Sequence, residues 1–283
     1  LDVNAVRTKL LILDFDGTFT DAHEEAKPFV TAFRDDFFDL LGREAPLAWE
    51  REEAEVLAHP TKYGWRNGGV ITAPAGADPY LTVSCIAQNL CDLFGILKNE
   101  TTRSEVLQAL YKKNYPLTRS APRADAKRVL ENVLARELAV AVVTNSRTDS
   151  VTGKIVELKA RGGDALRIIG DAKKFVIDAT SRDATFDALS DVSLPGLDTR
   201  PVKIKRGHYY DVLKELWRET DSDPASTLVC GDIFELDLAL PLALGARVHL
   251  VYHERTPAYE VTYLREHPRG SVSTDLAGVL DVL

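Results

Sequence analysis

Methionine is absent from all 283 residues, and cysteine occurs only three times, at Cys85, Cys91 and Cys230. An odd number of thiols with no CxxC spacing indicates neither a disulfide framework nor a zinc site, so buried free thiols are expected. The lack of methionine excludes nothing by itself. Positive charge is also short: 35 Lys and Arg stand against 43 Asp and Glu, a formal net charge of -8. Such a balance argues against a nucleic-acid partner, whose phosphate backbone calls for a basic surface. No apolar run reaches bilayer-spanning length, and the chain does not open on the basic, apolar and small-residue zones of a signal peptide. The expectation is a cytoplasmic protein with neither nucleic acid nor membrane among its partners. Its 45% hydrophobic and 28% charged residues are those of an ordinary globular chain. The length allows one large core or two domains.

What is present begins with Leu10-Leu11-Ile12-Leu13-Asp14-Phe15-Asp16-Gly17-Thr18. Four consecutive aliphatic residues suit a strand buried on both faces, as in a parallel sheet covered by helices. Two carboxylates at the end of such a strand call for something that uses their charge, and Gly17 lets the backbone turn sharply behind them. A calcium loop does not fit: position twelve from Asp14 is Glu25, but position five is Thr18 rather than Asp or Asn. The C-terminal edge of a parallel sheet is where open α/β folds bind ligands.

These residues resemble the first motif of the haloacid dehalogenase-like (HAD) hydrolase superfamily, an Asp-x-Asp-Gly-Thr after an apolar strand. Three further stretches match that family's remaining motifs in order. Val142-Val143-Thr144-Asn145-Ser146 ends an apolar strand in a hydroxyl and an amide, which with helix N-terminal N–H groups make a phosphate cradle. Helix capping is the plainer use of Asn145 and Ser146. The family's lysine is expected at the start of a helix near Gly207. In Val202-Lys203-Ile204-Lys205 both lysines share one strand face. Lys205, nearer the strand end, is favoured over Lys203, with Lys173 and Lys174 as outside candidates. Leu228-Val229-Cys230-Gly231-Asp232 ends a second apolar strand in an acid, and Asp237 follows five positions on.

Two buried strands each ending in Asp carry a desolvation cost of several kcal/mol unless a shared cation offsets it. Oxygen-only ligands favour Mg²⁺. The resemblance implies that Asp14 is both nucleophile and metal ligand, that Asp232 is a direct ligand and that Asp16 lends its backbone carbonyl to the metal while its side chain acts as general acid. It implies that Asp237 ligates through water or orients its neighbours, with Glu235 as the alternative for that place. Thr144, Asn145, Gly17, Thr18 and Lys205 would then hold the phosphate of a small phosphorylated substrate. An ordinary aspartate, with a pKa of about 3.9, is ionised and nucleophilic at neutral pH. Family dehalogenases lack an acid at the position of Asp16 and need no metal, so the motif points to phosphoryl transfer. A phosphomutase acting on a sugar phosphate, or a catalytically silent HAD-fold regulatory or binding protein, are the competing readings.

The fold class expected is α/β: a doubly wound parallel, Rossmann-like sheet core, residues 1–23 and 121–283, with an inserted α-helical cap domain over residues 24–120. The insertion follows from four amphipathic stretches, 27–41, 47–58, 80–93 and 103–113, directly after the first strand. The prolines of 115–122 suit a return linker. Alternation then resumes, with helices near 124–137, 149–160, 207–217 and 237–244 and strands near 138–144, 166–170, 202–205, 227–231 and 247–252. Residues 59–80, with Lys62, Tyr63, Trp65, Arg66 and Asn67, read as a structured loop able to supply specificity contacts or simply to pack on its own aromatics. Residues 171–200 are longer than an ordinary connection, with a possible strand at 175–179 and no assigned chemistry. His249 and His253 fall across a strand and its exit, which argues against a metal pair. No motif specifies the substrate or the oligomeric state.

Overall fold

The structure is a computed structural model that describes residues 7–197 and 199–283. Residues 1–6 of the expected core domain, and Asp198 within the long connection, lie outside the described residues. Strand β1 (Leu10–Leu13) leads into an insertion made of α1 (Ala22–Leu41), α2 (Pro46–Ala58), β2 (Gly64–Asn67), β3 (Val70–Pro74), α3 (Pro79–Phe94) and α4 (Glu100–Asn114). Alternation follows through α5 (Ala126–Leu134), β4 (Ala139–Val143), α6 (Thr148–Leu158), β5 (Arg167–Ile169), α7 (Ala184–Asp187), α8 (Gly207–Glu219) and β6 (Thr227–Gly231). A π-helical turn (Phe234–Leu238), α9 (Ala239–Ala243), β7 (Arg247–Val251), α10 (Ala258–Glu266) and β8 (Gly270–Ser273) complete the chain.

The six core strands form one parallel sheet in the order β5-β4-β1-β6-β7-β8. The aliphatic runs explain this layering. Leu10 and Ile12 pack into the core on one face, Leu11 and Leu13 into the core on the other, and all four are buried. The chain runs outward from β1 to β5, then returns to place β6 on β1's other side. That reversal is a topological switch point, where such sheets hold ligands. Asp14 and Asp232 end the two strands that flank it.

The insertion has its own apolar core, built on Phe29, Phe33 and Phe37 of α1 at i, i+4 spacing and joined by Trp49, Val83, Ile86 and Leu90. Asp21 caps α1, accepting from the amides of His23 and Glu24, and the Asp21 amide donates to Ala121 O, so the chain leaves and re-enters the sheet layer side by side. Residues 59–80 are not simply a loop: β2 and β3 form an antiparallel hairpin. The stretch 202–205 is not a ladder strand. Pro201 has no N–H to donate, and Val202 makes only a single bridge, to Val192. Phe175–Ala179 likewise contributes only the bridge Asp178–Arg206. Of the cysteines, Cys91 and Cys230 are buried and all three are free. No helix among the described residues is long and apolar enough to cross a membrane.

One buried ion pair ties the insertion to the core. The Arg200 guanidinium grips both carboxylate oxygens of Glu235 at 2.7 Å, and also donates to Pro60 O of the insertion at 3.4 Å. Glu235 is 0% exposed. Truncating Arg200 to alanine strands that charge, at an expected cost of about 3–5 kcal/mol. For a chain of this size that is a fall in melting temperature on the order of 10 °C. A thermal melt of Arg200→Ala within about 2 °C of the parent would contradict the pairing's importance.

Candidate active site

Asp14, Asp232 and Asp237 converge at the switch point, each presenting an oxygen within 4.8 Å of the others, and all three are buried. Their positions follow from the backbone. The Asp14 amide extends the β1–β6 ladder by donating to Cys230 O at 2.8 Å, so Asp14 stands beside the end of β6. The π-helical turn brings Asp237 back over Gly231, where an added Cβ would lie 2.5 Å from the Asp237 Cβ. Such turns recur at functional sites because they re-aim side chains that a regular helix would point elsewhere.

Gly17 has φ +83°, and a Cβ there would overlap the Asp232 carboxylate. Gly17→Ala therefore combines left-handed strain with a clash. It is expected to cost at least about 1–2 kcal/mol, read as a lower urea midpoint; an unchanged midpoint would rule out this close approach.

The ammonium that meets these acids belongs to Lys174, not Lys205. Lys174 Nζ lies 2.5 Å from Asp14 Oδ1, 2.5 Å from Asp237 Oδ1 and 3.0 Å from Val143 O, and the residue is 1% exposed. Lys205 instead donates to Asp187 O, and Lys203 pairs with Asp191. The expected strand that would have pointed either lysine inward does not form. In its place Arg206, fully buried, donates to the carbonyls of Lys203, Lys174 and, in β3, Thr72. The Lys174 amide donates to Asn145 Oδ1 at 2.7 Å. Thus Asn145 and Arg206 fix the loop that delivers the lysine.

Burial raises the Asp14 pKa to about 7, although Lys174 opposes the rise. It raises Asp232 well above the ordinary carboxylate range, with the charges of Asp14 and Asp237 adding to the effect. Burial works against the Lys174 charge, but Asp14 and Asp237 overcome it and hold the ammonium protonated. Asp14 alone is therefore not the freely ionised aspartate that its residue type suggests.

The donor set fits a divalent cation. Three carboxylates face one ammonium, and the oxygens are not equally engaged. Asp14 Oδ2 accepts from Thr18 Oγ1 at 3.2 Å, while the Asp237 oxygens take Lys174 and the Ile233 amide. Among the described residues Asp232, 3% exposed, has no hydrogen-bond donor or ion-pair partner, yet it lines the cavity above the cluster. A buried carboxylate left this way is costly unless a cation binds it. An all-oxygen set suits Mg²⁺ or a similarly hard ion. Glu235, the alternative to Asp237, is held by Arg200 and Tyr259 instead.

Asp16 faces the same cavity from outside the acid cluster. Thr144 Oγ1 donates to its Oδ2 at 3.2 Å, and Lys154 Nζ lies 3.5 Å from its Oδ1 while bonding Glu25 at 2.8 Å. Thr144 also accepts from the Ser146 amide, and Thr144 and Asn145 both line the cavity. The Gly17 amide is taken by Thr20 Oγ1 and the Thr18 amide by Phe15 O, so neither of these N–H groups points at an anion. Of the five residues singled out between 59 and 80, only Trp65 lines the cavity. Lys62 and Tyr63 bond Glu55, Arg66 bonds the carbonyls of Lys62 and Gly69, and Asn67 accepts from the Ile177 amide. His249 is buried between Ser271 and Ser273, away from any cluster. Lys154, Glu25 and Asp78 are cavity residues that no sequence motif marks.

Solved structures share this architecture from end to end. A predicted phosphoglycolate phosphatase from Haemophilus somnus superposes with a TM-score of 0.55 at 16% identity, covering 99% of each chain. The YfnB protein of Bacillus subtilis, in a magnesium-bound form, gives 0.52 at 12% identity over 98% of this chain and 99% of its own. The chain has the haloacid dehalogenase-like fold. A HAD-like family hydrolase from Xanthomonas campestris gives 0.51 at 12% identity over 98% and 94%. No protein-family model and no curated protein matches the chain by sequence, so the likeness shown is one of fold.

Proposed function

We propose that this protein is a Mg²⁺-dependent phosphatase that hydrolyses a small phosphorylated metabolite through an aspartyl-phosphate on Asp14, with residues 24–120 acting as a cap over the site. The observation that carries the reading is a buried Asp14 held by Lys174 beside an Asp232 with no partner among the described residues, with a second acid, Asp16, lining the same cavity. The fold neighbours include a protein described as a phosphoglycolate phosphatase and one bound to magnesium.

In this reading an Asp14 oxygen attacks phosphorus in line, and the bond from phosphorus to the substrate's alcohol oxygen breaks. Asp16, steadied by Thr144, passes its proton to the departing oxygen. Water then attacks the aspartyl-phosphate, its proton goes to Asp16, and inorganic phosphate leaves with Asp14 restored. Lys174 neutralises Asp14 and the phosphoryl oxygens from a fixed position, with no reorganisation at the moment of reaction. Asn145 orients Lys174 by accepting from its backbone amide, and with Thr144 it lines the cavity where the phosphate would lie. A divalent cation held by Asp14 and Asp232, with Asp237 behind them, would supply the positive charge that keeps Asp14 ionised despite its burial.

Steady release of inorganic phosphate from phosphomonoesters in Mg²⁺, abolished by EDTA and restored by added Mg²⁺, is the expected result. Phosphoryl return to a sugar without net phosphate release would favour the mutase instead, and activity indifferent to chelation would remove the metal.

A further inference from the structure

The cavity of about 430 Å³ has two chemically different ends. One is the acid cluster. The other is aromatic and comes from the insertion: Tyr80 of α3, Tyr111 of α4 and Tyr115 just beyond it. The Tyr111 and Tyr115 rings stack with centroids 5.5 Å apart and planes 15° from parallel, and Tyr80 lies 5.6 Å from Tyr115. Phe29 backs them, 5.1 Å from Tyr80 and 5.0 Å from Tyr111. Trp65 of β2 and Phe175 of the core pack edge to face at 5.3 Å and line the same space.

A purely structural cluster would bury its rings, as Phe29 is buried. Tyr115 instead remains 50% exposed, Tyr80 and Tyr111 are only half-buried, and all three line the cavity. Burial raises the pKa of all three phenols, so these three rings stay uncharged at physiological pH. Polar groups also line the cavity, among them Glu25, Asp78 and Lys154, but the aromatic patch is continuous across the three tyrosines. Aromatic surface rewards a flat ring, through stacking and edge contacts. The volume also falls within the range of pockets that enclose most of a drug-sized ligand, and a two-carbon phosphate would leave most of it empty.

We propose that the cavity selects a phosphomonoester whose alcohol carries an aromatic or heteroaromatic ring, the ring lying against Tyr80, Tyr111 and Tyr115 and the phosphate at Asp14. This rests on the phosphatase reading for the phosphate end alone. Phenyl phosphate and a nucleoside 5′-monophosphate are to be compared with glycerol phosphate and ribose 5-phosphate in Mg²⁺. A preference in kcat/KM of about tenfold or more for the ring-bearing esters is expected. Tyr111→Leu and Tyr115→Leu, both outside the acid cluster, should shrink the preference ratio toward one. Asp14-dependent turnover that favours the ring-less esters, or a ratio unmoved in both variants, would overturn the ring site while leaving a phosphatase. Should no ester release phosphate, the phosphatase reading itself fails. Calorimetry on Asp14→Asn then decides the ring site alone: phenyl phosphate binding at least tenfold tighter than glycerol phosphate supports it, and equal binding overturns it.

Discussion

Asp14→Asn is expected to lower phosphate release by a factor on the order of 10⁴ or more while leaving the protein folded. The amide is nearly the same shape as the carboxylate, so the β1–β6 ladder and the Thr18 contact can persist. It has no anionic oxygen to form the aspartyl-phosphate, and removal of a covalent nucleophile typically costs a rate factor of this size or more. Stability should move the other way. Asp14 is buried 7% exposed beside two more carboxylates, and its pKa is raised by that burial. A neutral side chain relieves both the desolvation and part of the repulsion. In EDTA the Asn variant should therefore melt at or above the temperature of the parent. Trapping of a phosphorylated Asp14 peptide in the parent and not in the variant would complete the case. Turnover surviving in the variant would remove Asp14 from the nucleophile's place.

The second large effect is expected at Lys174. Lys174→Met keeps the length of the side chain and deletes the charge that bridges Asp14 and Asp237. Three buried carboxylates are then left without a counter-charge, and breaking a buried pair in this way costs about 3–5 kcal/mol. In chelator the melting temperature should fall by on the order of 10 °C. A divalent cation binds only the folded cluster, so saturating Mg²⁺ should return about 2.7 kcal/mol at a hundredfold excess over its dissociation constant. The variant should thus depend on Mg²⁺ for stability far more than the parent does, besides losing turnover. Lys205→Met is the control. Its ammonium meets only Asp187 O, and its loss should stay within about 0.5 kcal/mol. Equal melts for the two lysine variants, or no recovery with Mg²⁺, would refute the charge arrangement described for the site.

The two lysines also show what kind of information a sequence holds. Asp14 and Asp232 could be found because each follows directly on a run of aliphatic residues, and burial on both faces of a strand is written into the adjacent four or five positions. That their sheet is parallel follows from the alternation of such runs with helices, while the strand order and the reversal between β1 and β6 are set by the tertiary structure. The lysine obeys no such local rule. Lys174 lies 160 positions from Asp14 and 63 from Asp237. It sits in a connection where Asp171 and Lys173 take positive φ and no periodicity announces a buried face. Alternation made Lys203 and Lys205 look like an inward-facing pair, yet Pro201 and the Arg206 guanidinium take that backbone out of the sheet. The hairpin β2–β3 escaped for a related reason: strands of four and five residues with Gly68-Gly69 at the turn read as a loop until the partner strand is in place.

The sequence by itself determined the parallel α/β core, the helical insertion after β1 and the carboxylates at the strand ends, because each rests on contacts between near neighbours in the chain. Tertiary structure alone decided which ammonium meets those carboxylates, which acid is left without a partner and which rings wall the cavity. Those are relations between segments tens to hundreds of residues apart, set by how desolvated charges and aromatic faces find one another once the layers close.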